Sequence, residues 1–162
     1  MARSCSSARM FRCRTVAGSS EPVLTDADRD LLDEVRTATL ATLDDAGRPR
    51  LVPICFVVDD RGAMWSPLDE KPKAVAEIRS LARVRDVLAR PAVTLLVQRW
   101  SEDWAELAWL RLFARATLAD RPPDPVVAAL RARYPQYAGH DLEHRPALRF
   151  DIERIVRWSA AG

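Results

Sequence analysis

Two near-identical turn blocks constrain this chain more than anything else in it. Asp44-Asp45-Ala46-Gly47 and Asp59-Asp60-Arg61-Gly62 lie fifteen residues apart, each with an extended apolar run on either side. Glycine after paired aspartates supplies the positive-φ position that a tight β-turn needs, so each block predicts a hairpin. The runs are Ala38–Leu43, 51–58 and 63–66, and they predict three antiparallel strands in a meander.

Further strands follow. The stretches 93–100 and 109–118 read as two long strands joined by the acidic Ser101-Glu102-Asp103-Trp104 segment. At 148–156, Leu148, Phe150 and Ile152 alternate with polar neighbours, and Ile155 keeps the pattern only after a slip of one residue. Six strands of this kind predict a mainly β fold, an antiparallel split β-barrel with peripheral helices, because closure removes exposed strand edges. Three helices are expected outside it. Thr25 with Asp28 forms a capping-box pattern ahead of Leu31, Leu32 and Val35. Val75, Ile78, Leu81, Ala82 and Leu88 recur at helical spacing between Lys73 and Ala89, with Pro91 closing the helix. A short helix at 126–134 follows the breakers Pro122, Pro123 and Pro125.

Composition limits the function. A length of 162 residues with 48% apolar content fits a single domain with a real core. The formal charge is +2, but the first twenty residues hold four arginines and no acid, and without them 21 basic residues face 23 acidic ones. No domain-wide basic face for nucleic acid follows. Residues 1–22 lack apolar periodicity and read as a disordered leader, possessing no apolar run of the roughly 7 to 15 residues that a secretory signal requires. The domain is expected over residues 23–162. No window approaches the roughly 18 consecutive apolar residues of a membrane span, so the expectation is a cytoplasmic protein with no membrane partner.

Several chemistries lack their residues. Five glycines contain no G-x-G-x-x-G or Walker pattern, so phosphate would be held by side chains. Cys5, Cys13 and Cys55 show no C-x-x-C spacing, and Cys55 reads as a small apolar strand residue. His140 and His144 lie in a breaker-rich stretch, which reads as a surface loop and predicts no metal site. No nucleophile stands beside a recognisable base. Hydride transfer needs none of these, because a reduced flavin or deazaflavin carries the hydride and the protein positions two flat rings.

The segment Trp65-Ser66-Pro67-Leu68-Asp69-Glu70-Lys71-Pro72-Lys73 is the best place for such a cofactor. It sets two ammonium groups in a proline-stiffened loop where a strand gives way to a helix, so Lys71 and Lys73 are the candidate phosphate ligands. A solvated loop with no ligand is the plainer reading of the same spacing. Trp65, Trp100, Trp104 and Trp109 offer aromatic faces for a tricyclic ring, or are simply core. Of these, Trp104 follows two acids and is the least core-like.

The run from Ala38 to Pro49, followed by Leu51-Val52-Pro53, resembles the opening of the pyridoxamine-phosphate-oxidase-like split barrels. The blocks Asp69-Glu70-Lys71-Pro72-Lys73, Arg90-Pro91-Ala92-Val93, Glu102-Asp103-Trp104, Tyr134-Pro135-Gln136-Tyr137 and Asp151-Ile152-Glu153-Arg154-Ile155 are similar to the branch of coenzyme F420-dependent enzymes. The likeness covers about residues 24 to 160. It implies a homodimer with two cofactor sites at its interface and a small-molecule substrate. It further implies that Leu51, Val52, Pro53 and Ile54 line the ring through backbone groups, that Trp65 and Ser66 touch the cofactor, that Lys71 and Lys73 take the phosphate, and that Trp104 lies near the ring. The activity implied is hydride transfer between reduced F420 and a conjugated organic substrate. An FMN-dependent oxidase or reductase is the first alternative, and a non-catalytic flavin, deazaflavin or tetrapyrrole binder the second. Two positions depart from the family pattern: Arg90 stands where asparagine is common and Ala114 where glycine is common, a matter of consequence if that site needs positive φ.

Overall fold

The computed structural model describes residues 24–68 and 78–161. Both turn blocks are built alike. In each, the first aspartate accepts from the backbone N–H groups two and four residues on: Asp44 from Ala46 and Arg48, Asp59 from Arg61 and Ala63. The glycines close the turns at positive φ, 76° for Gly47 and 83° for Gly62.

Helix α1 (Asp26–Glu34) opens on the full capping box, with Thr25 and Asp28 each accepting from the other's backbone N–H. Strands β1 (Ala38–Leu43), β2 (Pro49–Ile54), β3 (Val57–Val58) and β4 (Met64–Pro67) follow. Helix α2 (Ala82–Ala89) leads into β5 (Ala92–Arg99) and β6 (Ala108–Ala119), then α3 (Asp124–Arg133) and β7 (Ala147–Ser159). All pairings are antiparallel, in the order β2-β1-β5-β6-β7-β4-β3.

Three expectations are corrected. The run 51–58 is not one strand, so the described sheet has seven strands instead of six. It breaks at Cys55 and Phe56, which therefore places Cys55 between strands. The expected meander is two hairpins instead, β1–β2 and β3–β4, on opposite margins of the sheet. Those margins are joined by only two residues, so the sheet must curl until β2 and β3 are neighbours in space. Of the helix expected between Lys73 and Ala89, 73–77 lie outside the described residues, and the rest is a 3-10 turn at Ile78–Ser80 and a helix from Ala82, parted by extended Leu81 (φ −59°, ψ 131°). Val84 and Val87 are its core residues, whereas Leu88 is 51% exposed.

The slip before Ile155 is a β-bulge. Phe113 pairs with Arg154 and Ala114 with Ile152, leaving Glu153 as the extra residue on β7. Ala114 is buried, and no described non-glycine residue has positive φ, so alanine fits there without backbone strain.

Two apolar clusters hold the domain. The larger fills the barrel with alternate residues of the strands, among them Leu40, Leu95, Leu112 and Phe150, and takes in Leu31 and Leu32 of α1 and Val84 and Val87 of α2. The smaller packs Val126, Val127 and Leu130 of α3 with Tyr134 and Tyr137 against Val57 and Trp65 outside β3 and β4. Burying a large aliphatic side chain contributes about 1.5–3 kcal/mol, so these clusters dominate the folding free energy. No described helix is long and apolar enough to cross a membrane.

Candidate functional site

Strand β2 is an unusual margin. Among the described strands it pairs only with β1, and it carries prolines at 49 and 53. Proline has no N–H to give a ladder and belongs on edge strands, where its nitrogen turns away from the partner. Leu51 shares that phase, which leaves its backbone N–H and C=O turned outward with the carbonyls of Pro49 and Pro53. Pro49, Leu51 and Pro53 are all exposed, Leu51 by 64%, whereas Ile54 is buried and Val52 packs on the barrel core. The β2 face thus combines apolar surface with free hydrogen-bonding groups, which suits a flat heterocycle.

The same outward side of the sheet continues across β1, β5, β6 and β7. Thr39 and Ala41 of β1 stand beside Leu96 and Thr94 of β5, and these beside Arg111 and Phe113 of β6. Trp109 stacks on Trp158 at 6.3 Å between ring centroids, and Arg154 lies 3.6 Å from the centre of the Phe113 ring. Leu51, Leu96, Trp109, Phe113 and Trp158 belong to neither packed cluster. Trp100 and Trp104 stand out at 73% and 72% exposure, the second on the 3-10 turn Trp104–Glu106.

The sequence-predicted residues thus fall into groups. Leu51 and Pro53 face outward on β2, and Trp104 is exposed on the β5–β6 connection. Trp65 and Ser66 lie inside: Trp65 is buried beside α3, its Nε1 donating to Asp59 at 2.9 Å, and Ser66 is buried within β4. Past the two residues of β3, Ser66 and Pro67 pair only with β7, so a contact to a ligand from this strand would run through its backbone edge. Lys71 and Lys73 lie outside the described residues.

Electrostatics around β2 are structural. Buried Asp86 of α2 accepts from Thr42 Oγ1 at 2.7 Å and faces Arg50 Nη1 at 3.2 Å, tying α2 to both strands of the first hairpin. Arg90 donates to the carbonyls of Asp44 and Asp45, so the departure from asparagine gives the β1–β2 turn a clamp. The backbone N–H and guanidinium of Arg48 hold the Asp44 carboxyl below the ordinary range despite some desolvation.

Residues that carry no site role in the sequence alone meet at the β2–β3 break. The Tyr134 hydroxyl accepts from Phe56 N–H at 3.0 Å, with the carbonyls of Phe56 and Arg36 at 2.8 and 2.9 Å. Arg133 donates to the carbonyls of Leu32 and Val35, closing the end of α1. Arg36, Arg133 and His140 border a cleft of about 420 Å³ that Cys55 also lines. Only the block Tyr134-Pro135-Gln136-Tyr137 pointed toward this region, and it carries no spacing rule by itself. His144 pairs with Asp141 at 2.8 Å in the loop, and among the described residues no three His, Cys, Asp or Glu side chains converge as metal ligands.

The model of pyridoxamine 5'-phosphate oxidase matches residues 24–159, the whole barrel with α1. The chain belongs to that family. Solved structures of similar fold include a conserved hypothetical protein from Mycobacterium tuberculosis, 19% identical with a TM-score of 0.66 over 90% of this chain and 91% of that one. The heme storage protein HutZ from Vibrio cholerae is 19% identical with a TM-score of 0.61 over 86% and 99% of the two chains. A protein described as an F420 reductase is 17% identical with a TM-score of 0.57 over 78% and 94%. At these identities the likeness establishes the fold alone, a split β-barrel. No curated protein matches the chain.

Proposed function

We propose that this member of the family is an F420-dependent oxidoreductase that works as a homodimer and passes hydride between the reduced deazaflavin and a conjugated organic substrate. The observation that carries the reading is the outward face of β2, an exposed apolar margin with free backbone groups, in a chain whose barrel matches the family end to end. The similarity of fold to an F420 reductase supports the choice of cofactor.

In this reading the ring lies along Leu51, Val52, Pro53 and Ile54, where the outward N–H and C=O of Leu51 and the carbonyl of Pro53 meet its polar edge. Ser66 borders it through the backbone edge of β4, which Trp65 holds from the α3 side, and Lys71 and Lys73 neutralise the phosphate. Trp104 covers the opening. When bound, the deazaflavin supplies the hydride, and the protein's own part is to orient the ring, exclude water and hold the acceptor close. The outward sheet residues that join neither core cluster, Leu96, Trp109, Phe113 and Trp158, form the contact between two copies. An apolar strand face of this breadth is costly to leave in water.

The test is a fluorescence titration of the purified chain with F420 and, separately, with FMN, repeated on Lys71→Ala/Lys73→Ala. Tight F420 binding that the double variant weakens at least tenfold is expected. FMN binding preferred over F420 would move the assignment to an FMN-dependent oxidase or reductase. A second reading, a carrier without turnover, draws on the heme storage protein among the similar folds and on the lack of an acid or base on the β2 face. It predicts that bound, reduced F420 is oxidised by enones and quinones no faster than free F420.

A further inference from the structure

One residue beyond Ile54, where the strand assigned to the ring ends, the 420 Å³ cleft opens between the start of β1, the β2–β3 break and the turn Pro135–Tyr137. Its volume is that of a small-molecule site. Its lining includes two guanidiniums and an imidazole and no carboxylate at all. The two arginines differ in their engagement. Arg133 is spent on the carbonyls of Leu32 and Val35 and faces Asp33 at 3.5 Å. Arg36 donates to the Arg133 carbonyl and lies 5.9 Å from the Tyr134 ring centre, and no acid pairs with it among the described residues. An exposed guanidinium with donors to spare is a carboxylate receptor.

The remaining walls describe the rest of the ligand. Tyr134, Tyr137 and Pro135 supply flat apolar surface, and Gln136 adds an amide. His140 stands edge-on to Tyr137 at 5.5 Å, and its Nδ1 is buried without a hydrogen-bond partner. We propose that this cleft binds a small organic anion, a carboxylate on a flat conjugated body, held through Arg36, and that it is the acceptor pocket of the hydride transfer. The second half rests on the function proposed above, since only a ring along β2 makes the cleft its neighbour; anion binding itself does not.

The experiment uses the full purified chain, with and without added F420, and cinnamate as the probe. Backbone amide shifts are followed in two-dimensional NMR against cinnamyl alcohol, which has the same body without the charge. Saturable shifts are expected at Arg36, Thr37, Cys55 and Gln136, at least tenfold weaker binding of the alcohol, and a similar loss in Arg36→Gln. Absence of saturable shifts at those positions overturns the proposal, as does equal binding of acid and alcohol or of wild type and a folded R36Q. Shift mapping on the wild type keeps the test decisive if that variant fails to fold. Cinnamate binding by a chain that ignores F420 would sink the hydride reading and keep the anion site. F420 binding without cinnamate binding would do the reverse.

Discussion

The side chain of Tyr134 holds both backbone groups of Phe56, accepting from its N–H at 3.0 Å and standing 2.8 Å from its carbonyl, across 78 positions of sequence. Phe56 is fully buried where the chain passes from one margin of the sheet to the other, and no strand partner meets its polar groups there. A buried backbone group without a partner costs about 1–3 kcal/mol. One phenol hydroxyl therefore makes the break between β2 and β3 tolerable. Tyr134→Phe, which keeps the ring, is predicted to lower the unfolding free energy by about 2–3 kcal/mol in urea titrations with little change in slope. A loss under about 0.5 kcal/mol would mean that the Phe56 groups find water instead.

Helix α1 is locked to β7 by a buried charge. Burial of Asp28 raises its carboxyl pKa, but two-pronged hydrogen bonds from Arg157 and the N–H and hydroxyl of Thr25 outweigh this and hold it below the ordinary value. A carboxyl depressed in the folded state contributes stability above its unfolded pKa of about 3.9 and loses it as pH falls through the lower folded value. Asp28→Asn is predicted to be about 1–2 kcal/mol less stable than wild type at neutral pH, the figure being modest because Arg157 is partly exposed and screened. The gap should begin to narrow below about pH 4 and close as pH falls through the lower folded value, as read by thermal melts across pH.

A third test concerns the pin between α2 and the first hairpin. Thr42→Val keeps the shape of the side chain but removes the hydroxyl that Asp86 accepts from at 2.7 Å. The buried carboxylate then depends more heavily on Arg50, and a loss of about 1–3 kcal/mol is predicted. Hydrogen exchange should quicken in β1 and β2 and stay unchanged in β7.

Association is the fourth prediction. Light scattering of the purified chain should give twice the 18.2 kDa chain mass. Leu51→Glu puts a charge on the most exposed apolar strand position and is predicted to weaken both association and F420 binding at least tenfold, with unfolding of the monomer within about 0.5 kcal/mol of wild type. A monomeric wild type would refute the two-chain site.

Local chemistry made much of this fold legible. The capping box, both aspartate-glycine turns and the long β5 and β6 follow from residues a few positions apart, and the one-residue slip before Ile155 was visible as a lapse in alternation. The break at Cys55 and Phe56 was not. The run 51–58 is evenly apolar, and what interrupts it is a tyrosine far along the chain, which no window of sequence reveals. Leu88 misled for a related reason: its spacing fits a helical period, but α2 turns Val84 and Val87 to the core and leaves Leu88 outward. Leu51 and Trp104 lie on open surface, while Trp65 is committed to packing under α3 and to Asp59. Arg36 drew no notice, Gln136 stood only inside a family-like block and His140 read as a loop residue, because each is an ordinary polar residue until the fold sets them around one hollow.

The two-residue bridge between the margins has a mechanical side. Because β2 and β3 are consecutive in the chain yet terminate opposite ends of the pairing order, neither hairpin can peel away without tugging its counterpart through Cys55 and Phe56. A pull on one rim therefore reaches the other through two residues of chain, and the crevice that Cys55 lines lies beside that link.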